Sequence, residues 1–559
     1  MPRVMTLQTS FNSGVLDPRL AARTDLKHFY QGVDTATNVV SMPQGGLKRR
    51  PGLAYIDTIS GAARLESFAF NVEQTYLMVF SNTNIEVFKD GVSQANITSP
   101  WTTTQLFELN FTQSADTMII VHEDHQPRKL IRSGSHTAWT LSTITLTNIP
   151  THDFGSGSEA VWSSSRGWPK SVTFFEGRLW FGGSRERPQS LWGSVTNDFY
   201  NFNVGTGLDD EAIAVTLDTD QVNAITAVFA GRHLQVFTSG GEFYLPNSPI
   251  TPTLSAVKRQ SLFGASSVRP KSIDGATLFL DRTGKALREF IFTYTEDAYT
   301  AHTVSLLASH LMNSPVDMDA LRGTANDDAN YLYVVNGDGT VAVFNTLRAQ
   351  EVGGWTQWTT NGTVESVATV VEEVYFLVNR TINGSAVRFL EKLDADAYTD
   401  AGKRQTLSPA SASVPGLAHL NGESCRVKAD GSVMSSATPS SGSITLARTA
   451  TTVEVGLDFD TEIKTMPLNM DFQDGPILTR KKRVVRVVAD LYESLGISVN
   501  GTYLADRSFG VGVLDDTPTP FTGIKETFLL GWDDLAQVTI TQTDPVPMTV
   551  LGLAVEVEA

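Results

Sequence analysis

The stretch Thr75-Tyr-Leu-Met-Val-Phe80, its turn Ser-Asn-Thr-Asn84 and the answering run Ile85-Glu-Val-Phe88 decide how this chain is read. Apolar side chains on a period of two mark strands, and a short polar turn folds the second run back on the first. The same unit returns six more times. Met118-Ile-Ile-Val121 is answered by Arg128-Lys-Leu-Ile131, Arg178-Leu-Trp-Phe181 by Ser190-Leu-Trp192, and His233-Leu-Gln-Val-Phe237 by Glu242-Phe-Tyr-Leu245. Thr277-Leu-Phe-Leu280 pairs with Ala286-Leu-Arg-Glu-Phe290, Tyr331-Leu-Tyr-Val-Val335 with Thr340-Val-Ala-Val-Phe344, and Tyr375-Phe-Leu-Val378 with Ala386-Val-Arg-Phe389. Successive units start 43, 60, 55, 44, 54 and 44 residues apart. A hairpin repeat of that size predicts a β-propeller of about seven blades, because one blade cannot bury both faces of its sheet and a circle of them can. A string of β-sandwiches is the rival reading. The uneven spacing implies loop insertions, above all the Gly/Ser-rich stretch 153–168.

Outward from the repeat, residues 1–60 read as an amino-terminal arm that docks to neighbours. Asp17-Pro18 precedes Leu20, Ala21, Leu26, Phe29, Tyr30 and Val33, which suits a short amphipathic helix. Gln44-Gly-Gly-Leu-Lys-Arg-Arg-Pro-Gly52 then reads as a tight basic loop. The repeat stops near residue 400; 405–440 is rich in Ser, Ala, Pro and Gly and reads as a linker region with embedded strands. Alternation resumes in Ile444-Thr-Leu446, Val453-Glu-Val455, Val484-Val-Arg-Val-Val488 and Val538-Thr-Ile-Thr541. The expected organisation is all-β: arm 1–60, propeller 61–400, and a sandwich-like platform domain over 401–559.

Composition narrows the function classes. Of 559 residues 41% are hydrophobic and 18% charged, which is globular rather than disordered. The net charge of −17 argues against a protein that grips phosphates, although not against one that a nucleic acid slides past. Cys425 is the single cysteine, so disulfides and CxxC metal sites are excluded, and a small buried filler is expected there. No segment approaches ~18 continuous apolar residues, so no membrane span is expected.

Chemistry-bearing constellations are few. His122 and His125 have HxxH spacing but sit in an expected hairpin turn, where solvated loop histidines are the plainer reading. Asp209-Asp210-Glu211 is the densest acidic cluster. Paired carboxylates serve glycoside hydrolysis or hold calcium, yet the alternating oxygens and central glycine of a calcium loop are missing, and a solvated acidic loop, or a channel-lining one, is the expectation. No HExxH, GxSxG, P-loop or GxGxxG occurs. Trp355 and Trp358 suit core filling better than a sugar platform. Two basic clusters interrupt the acidic chain: Lys48-Arg49-Arg50 and Arg480-Lys481-Lys482-Arg483. Together with Asp25 of the arm, Lys48, Arg49, Arg50, Arg480, Lys481 and Lys482 are candidates for a subunit or adaptor contact. For the second cluster, charges that keep an apolar strand from aggregating are the stronger rival reading.

Several stretches in order resemble one known group. Phe11-Asn-Ser-Gly-Val-Leu-Asp-Pro-Arg-Leu-Ala-Ala-Arg-Thr-Asp-Leu-Lys-His-Phe-Tyr30, the Gln44–Gly52 loop, Leu191-Trp-Gly-Ser-Val-Thr-Asn-Asp-Phe-Tyr-Asn-Phe202, Gly353-Gly-Trp-Thr-Gln-Trp358 and the ending from Gly531-Trp-Asp-Asp534 to Leu553 are similar to the tail nozzle proteins (tail tubular protein B-like) of short-tailed bacteriophages. The resemblance implies a structural virion subunit, assembled in the host cytoplasm. It implies a hexameric ring under the tail adaptor ring, with tail fibres as further partners, that retains packaged DNA and forms the channel for its ejection without sequence-specific binding. It implies no catalytic residues, metal or cofactor and no enzyme. The alternatives are a tail-borne receptor-binding module and a glycan depolymerase that would use Asp209 and Asp210. The chain lacks an obvious extra tip domain, which leaves the closing of the channel open.

Overall fold

Each of the seven hairpins forms the two middle strands of a four-stranded antiparallel sheet. The computed structural model describes residues 3–155, 157–323, 329–348, 352–469, 471–472, 475–476, 480–507 and 516–558. Of the segments singled out above, residues 1 and 2 of the arm, Ser156 of the Gly/Ser-rich insertion and parts of the carboxy-terminal region lie outside the described residues. The first blade comprises Ala63–Ala69, Thr75–Ser81, Asn84–Lys89 and Val92–Thr98, and the sixth comprises Pro315–Leu321, Asn330–Asn336, Val341–Leu347 and Val352–Trp358.

Alternation along the strands explains why the blades close into a circle. In the first blade Tyr76, Met78 and Phe80 pack with Phe111 and Met118 of the second. The residues between them, Leu77 and Val79, pack with Leu377 and Leu390 of the seventh. In the second blade Ile119 and Val121 turn to Val172 and Phe181 of the third. Trp180 and Leu191 meet Val228 and Val236 of the fourth, and Phe237 and Tyr244 meet Phe279 and Phe290 of the fifth. Leu278 and Leu280 meet Leu332 and Val334 of the sixth, while Tyr333 and Val335 meet Val367 and Phe376 of the seventh. The apolar side chains on both faces of each hairpin are therefore covered, at about 2 kcal/mol for each large one removed from water. The fold is a seven-bladed β-propeller with a β-sandwich. The sixth hairpin turn depends on Gly339, whose φ is +83° and whose absent Cβ would lie 2.4 Å from Cβ of Thr363 in the next blade.

Two expectations change at the amino terminus. The outermost strand of the seventh blade is Gly52–Ile59, antiparallel to Ser385–Asp394, so the propeller begins before residue 61 and is closed by the two ends of its own sequence. Residues 3–49 are not a separate arm but part of the sandwich. Arg3–Gln8, Val39–Ser41 and Leu47–Arg49 join Thr549–Glu558, Arg483–Ser494 and Phe521–Phe528 in one sheet. Gly14–Val15 and Gly32–Thr37 join Thr461–Thr465, Thr539–Gln542 and Ser498–Val499 in a second sheet that continues from the sixth blade. Val33, Ala36, Leu47, Ile463, Val487, Val538, Ile540 and Val555 fill the space between them. The sandwich is thus built from both ends of the chain. The expected helix is replaced by two 3-10 turns, Pro18–Leu20 and Lys27–Gln31. Pairing of Gly32–Thr37 with Thr461–Thr465 removes Val33 from any helical stripe.

The expected linker is also a sheet. Asp400–Val414 is a fifteen-residue strand paired with Ile444–Leu457, which also pairs with Cys425–Ala429. Its small polar residues lie on an exposed face, and the opposite face packs Val414, Leu417, Leu420, Cys425, Val427 and Val455.

Candidate contact surfaces and the propeller hub

The first strands of the blades are innermost, where neighbouring ones touch. Residues two apart on a strand point the same way, so Arg64 with Glu66, and Asp317 with Asp319, all face into the hub. Lys271 Nζ lies 2.8 Å from Asp319 Oδ1, and Arg269 Nη1 lies 3.3 Å from Glu66 Oε2. Arg64 Nη1 donates to the carbonyls of Leu106 and Leu109 at 3.1 and 2.7 Å. Asp317 Oδ2 accepts from Ser366 Oγ at 2.6 Å and from the Val367 amide at 3.2 Å. Burial pushes the Asp317 carboxyl up, against Arg64 and the Ser366 bond. Burial also works against charge on Glu66, but Lys271, Arg269 and Arg64 together hold it below the ordinary glutamate value. Arg64, Arg269, Asp317 and Glu365 help to line a cavity of about 520 Å³ at the hub.

Arg49 and Arg50, expected at a contact surface, are inside the molecule. They are 2% and 1% exposed and form the junction between propeller, sandwich and the 400–457 sheet. Arg50 grips Asp400 with two bonds, Nη2 to Oδ2 at 2.6 Å and Nη1 to Oδ1 at 2.8 Å. Its Nε donates to Asn38 Oδ1 at 2.9 Å, and its guanidinium lies 3.6 Å over the Phe459 ring. Thr360 Oγ1 donates to Asp400 and accepts from Arg380, whose own fork holds Glu391 at 2.6 and 2.7 Å. Arg49 Nη1 donates to Thr461 Oγ1 at 2.9 Å and to Gln542 Oε1 at 3.1 Å. Burial, reinforced by Arg50, pulls the Arg49 guanidinium down to about 9. Asp400 is also desolvated, yet Arg50, helped by Arg380 and Thr360, holds it below the usual aspartate value. Lys48 alone of the three is exposed.

The second basic cluster divides in the same way. Lys482 is 1% exposed; its Nζ donates to the Asp534 carbonyl at 3.0 Å, and burial lowers its pKa. Lys481 is exposed and Arg480 half-buried. Asp25 is exposed and paired with Arg23 at 2.8 Å. In the acidic loop Asp209 and Asp210 are exposed, but Glu211 turns back, its Oε2 accepting the amides of Thr206, Gly207 and Leu208 at 2.7, 2.6 and 2.8 Å. The carbonyls of Asp209 and Glu211 each accept from Arg178 at 2.6 Å. The loop is a scaffolded turn, and the three carboxylates do not converge.

His122 is buried rather than solvated. Its Nδ1 accepts the Asp124 amide at 3.0 Å, which leaves Nε2–H to donate to Glu108 Oε2 at 2.9 Å. His125 pairs with Gln105 at 3.1 Å, and no group of three His, Cys, Asp or Glu gathers to hold a metal ion among the described residues. Cys425 is buried, and desolvation pushes its thiol up to about 12. Trp355 stacks on Phe344 with centroids 4.7 Å apart, and Trp358 donates to the Val39 carbonyl at 2.9 Å, so both fill core. No helix among the described residues is long and apolar enough to cross a membrane.

One surface was not anticipated. Ile524, Phe528, Leu530, Trp532 and Leu535 are 67%, 65%, 91%, 46% and 48% exposed, and Met5 and Leu7 on the same sheet are 50% and 70% exposed. The available signal was Phe521-Thr-Gly-Ile-Lys-Glu-Thr-Phe-Leu-Leu530, where apolar residues occupy both phases of one strand.

No family model and no curated protein sequence matches the chain. Solved structures similar to it include the WD40 repeats of RRP9, at 10% identity and a TM-score of 0.37 over 62% of this chain and 99% of that one. BBS1N in complex with ARL6DN is similar at 8% identity and a TM-score of 0.34 over 62% of this chain and 98% of that one. The assignment of the propeller stands on the chain's own seven sheets and the cores they share.

Proposed function

We propose that this chain is a structural virion protein, one subunit of a ring-shaped nozzle in the tail of a short-tailed bacteriophage. Six copies under the adaptor ring would hold packaged DNA and form the channel through which it leaves. The observation that carries the reading is the junction of Arg49 and Arg50. Through Asp400, Asn38, Thr461 and Gln542 it ties the propeller, the sandwich and the 400–457 sheet together. A subunit that contains compressed DNA must pass load between its parts without a hinge, and buried bidentate ion pairs resist such movement. The ordered motifs from Phe11 to Leu553 support the same family.

In this reading the lumen is the space between copies, since ionisable side chains of three blades meet inside the hub. A net charge of −17 suits such a wall, since like charge leaves no counterion-releasing contacts to trap a duplex. The test is immuno-gold electron microscopy of phage particles with antibody raised to the purified chain. Gold at the tail end is the expected result, and particles free of label refute the proposal.

A further inference from the structure

The sheet that contains both chain ends has two open sides. Four of its six strands run Phe521–Phe528, Arg483–Ser494, Thr549–Glu558, Arg3–Gln8, with every neighbour antiparallel, and Leu47–Arg49 pairs with the start of Thr549–Glu558 beside Arg3–Gln8. Among the described residues no strand pairs with the outer side of Phe521–Phe528 or of Arg3–Gln8. The register sets Phe528, Arg486, Glu556 and Met5 in one row of the outer face, and Glu526, Val488, Ala554 and Leu7 in the next. The exposed apolar side chains therefore stand at the two margins, Ile524 and Phe528 on one and Met5 and Leu7 on the other.

Open edges with exposed apolar residues invite strand addition, and proteins that must stay single guard them with lysine or proline. Here the edge charges are engaged within the chain, Arg3 by Glu556 at 3.5 Å and Glu526 by Arg486 at 3.2 Å. The lysine of the first edge, Lys525, is engaged by Asp506 at 3.1 Å and by the Ala505 carbonyl at 2.9 Å.

We propose that the two margins are each other's partners, so that Phe521–Phe528 of one copy pairs with Arg3–Gln8 of the next. This rests on the ring proposed above and names its seam. Three observations favour a second copy as the occupant. Four alternating strands make the two edge strands antiparallel to each other, so a copy added head to tail meets its neighbour antiparallel and continues the ladder unbroken. Outward residues match in one register: the pairing that sets Arg3 opposite Glu526 sets Met5 opposite Ile524, giving one opposite-charge pair and one apolar cross-strand pair. The two patches differ, so the contact is head-to-tail, the kind that closes a ring when the rotation per copy divides a full turn.

Disulfide trapping in the full chain tests the seam, because native Cys425 is 0% exposed and does not compete. Met5→Cys and Ile524→Cys are made as separate variants and as a double variant, then oxidised at concentrations where mass photometry reports on assembly. A mixture of the two single variants is expected to cross-link into dimers containing one of each. Each single variant alone is expected to stay uncross-linked, and the double variant to give a ladder of multimers. Two further results overturn the seam: rings of the unmodified chain with no cross-link in the mixture, and cross-links between identical single variants. A ladder without closed rings supports the seam and refutes the ring, whereas a chain that stays single at every concentration refutes both. Ile524→Glu with Phe528→Glu gives a second readout, loss of assembly with an unchanged unfolding transition, because both side chains are mostly exposed in the single chain.

Discussion

At the propeller hub, ionisable side chains from the first, fifth and sixth blades meet across a cavity; at the junction, Arg50 and Asp400 meet with no space between them. In the hub Asp317 answers Arg64 from a distance and takes its direct bonds from Ser366 and Val367. Burial wins there, and the carboxyl is pushed toward its neutral form. At the junction two short bonds from Arg50 win over the same desolvation, and Asp400 keeps its charge. The difference teaches that contact geometry, more than burial, decides whether a buried acid stays ionised.

Arg50→Ala breaks that comparison most strongly. It leaves Asp400 buried and unpaired, at a cost of about 3–5 kcal/mol. Urea unfolding is expected to show an earlier transition, split in two as the sandwich uncouples from the propeller. Gly339→Ala comes next, because a side chain there combines a φ of +83° with overlap against Thr363. The expected loss is about 1–3 kcal/mol, read as a lower thermal midpoint. Asp317→Asn sharpens the contrast at smaller scale. Its carboxyl binds a proton more tightly folded than unfolded, so wild-type stability relative to this variant rises as pH falls toward the ordinary aspartate value of about 4. Asp400 is held below its ordinary value, so its contribution is present above about pH 4 and is lost as pH falls below it. Paired urea titrations should give a slope for Asp317→Asn above about pH 4 and a slope of opposite sign for Asp400→Asn below it. Asp209→Ala is expected to leave the unfolding midpoint unchanged, since only its main chain engages Arg178.

The hairpins were legible because each is local: strand, turn and strand lie within some fifteen residues, and all seven became the middle strands of blades. What closes the molecule was not legible. Arg3 pairs with Glu558 and Ile59 with Arg388, and a period of two says which face is buried without naming the partner. The misplaced cations had a signal. Arg49 is in phase with the buried Leu47, and Lys482 with the buried Val484, which puts both on inward faces. Their charge outweighed their phase in the sequence reading, because arginine and lysine are rarely buried unless paired.

Cryo-electron microscopy of an assembled tail tests the central claim most directly. The account predicts six copies around a central opening, with every propeller hub filled by side-chain density and the DNA path outside all of them. DNA density running through a propeller hub, or a single copy spanning the tail axis, would contradict it.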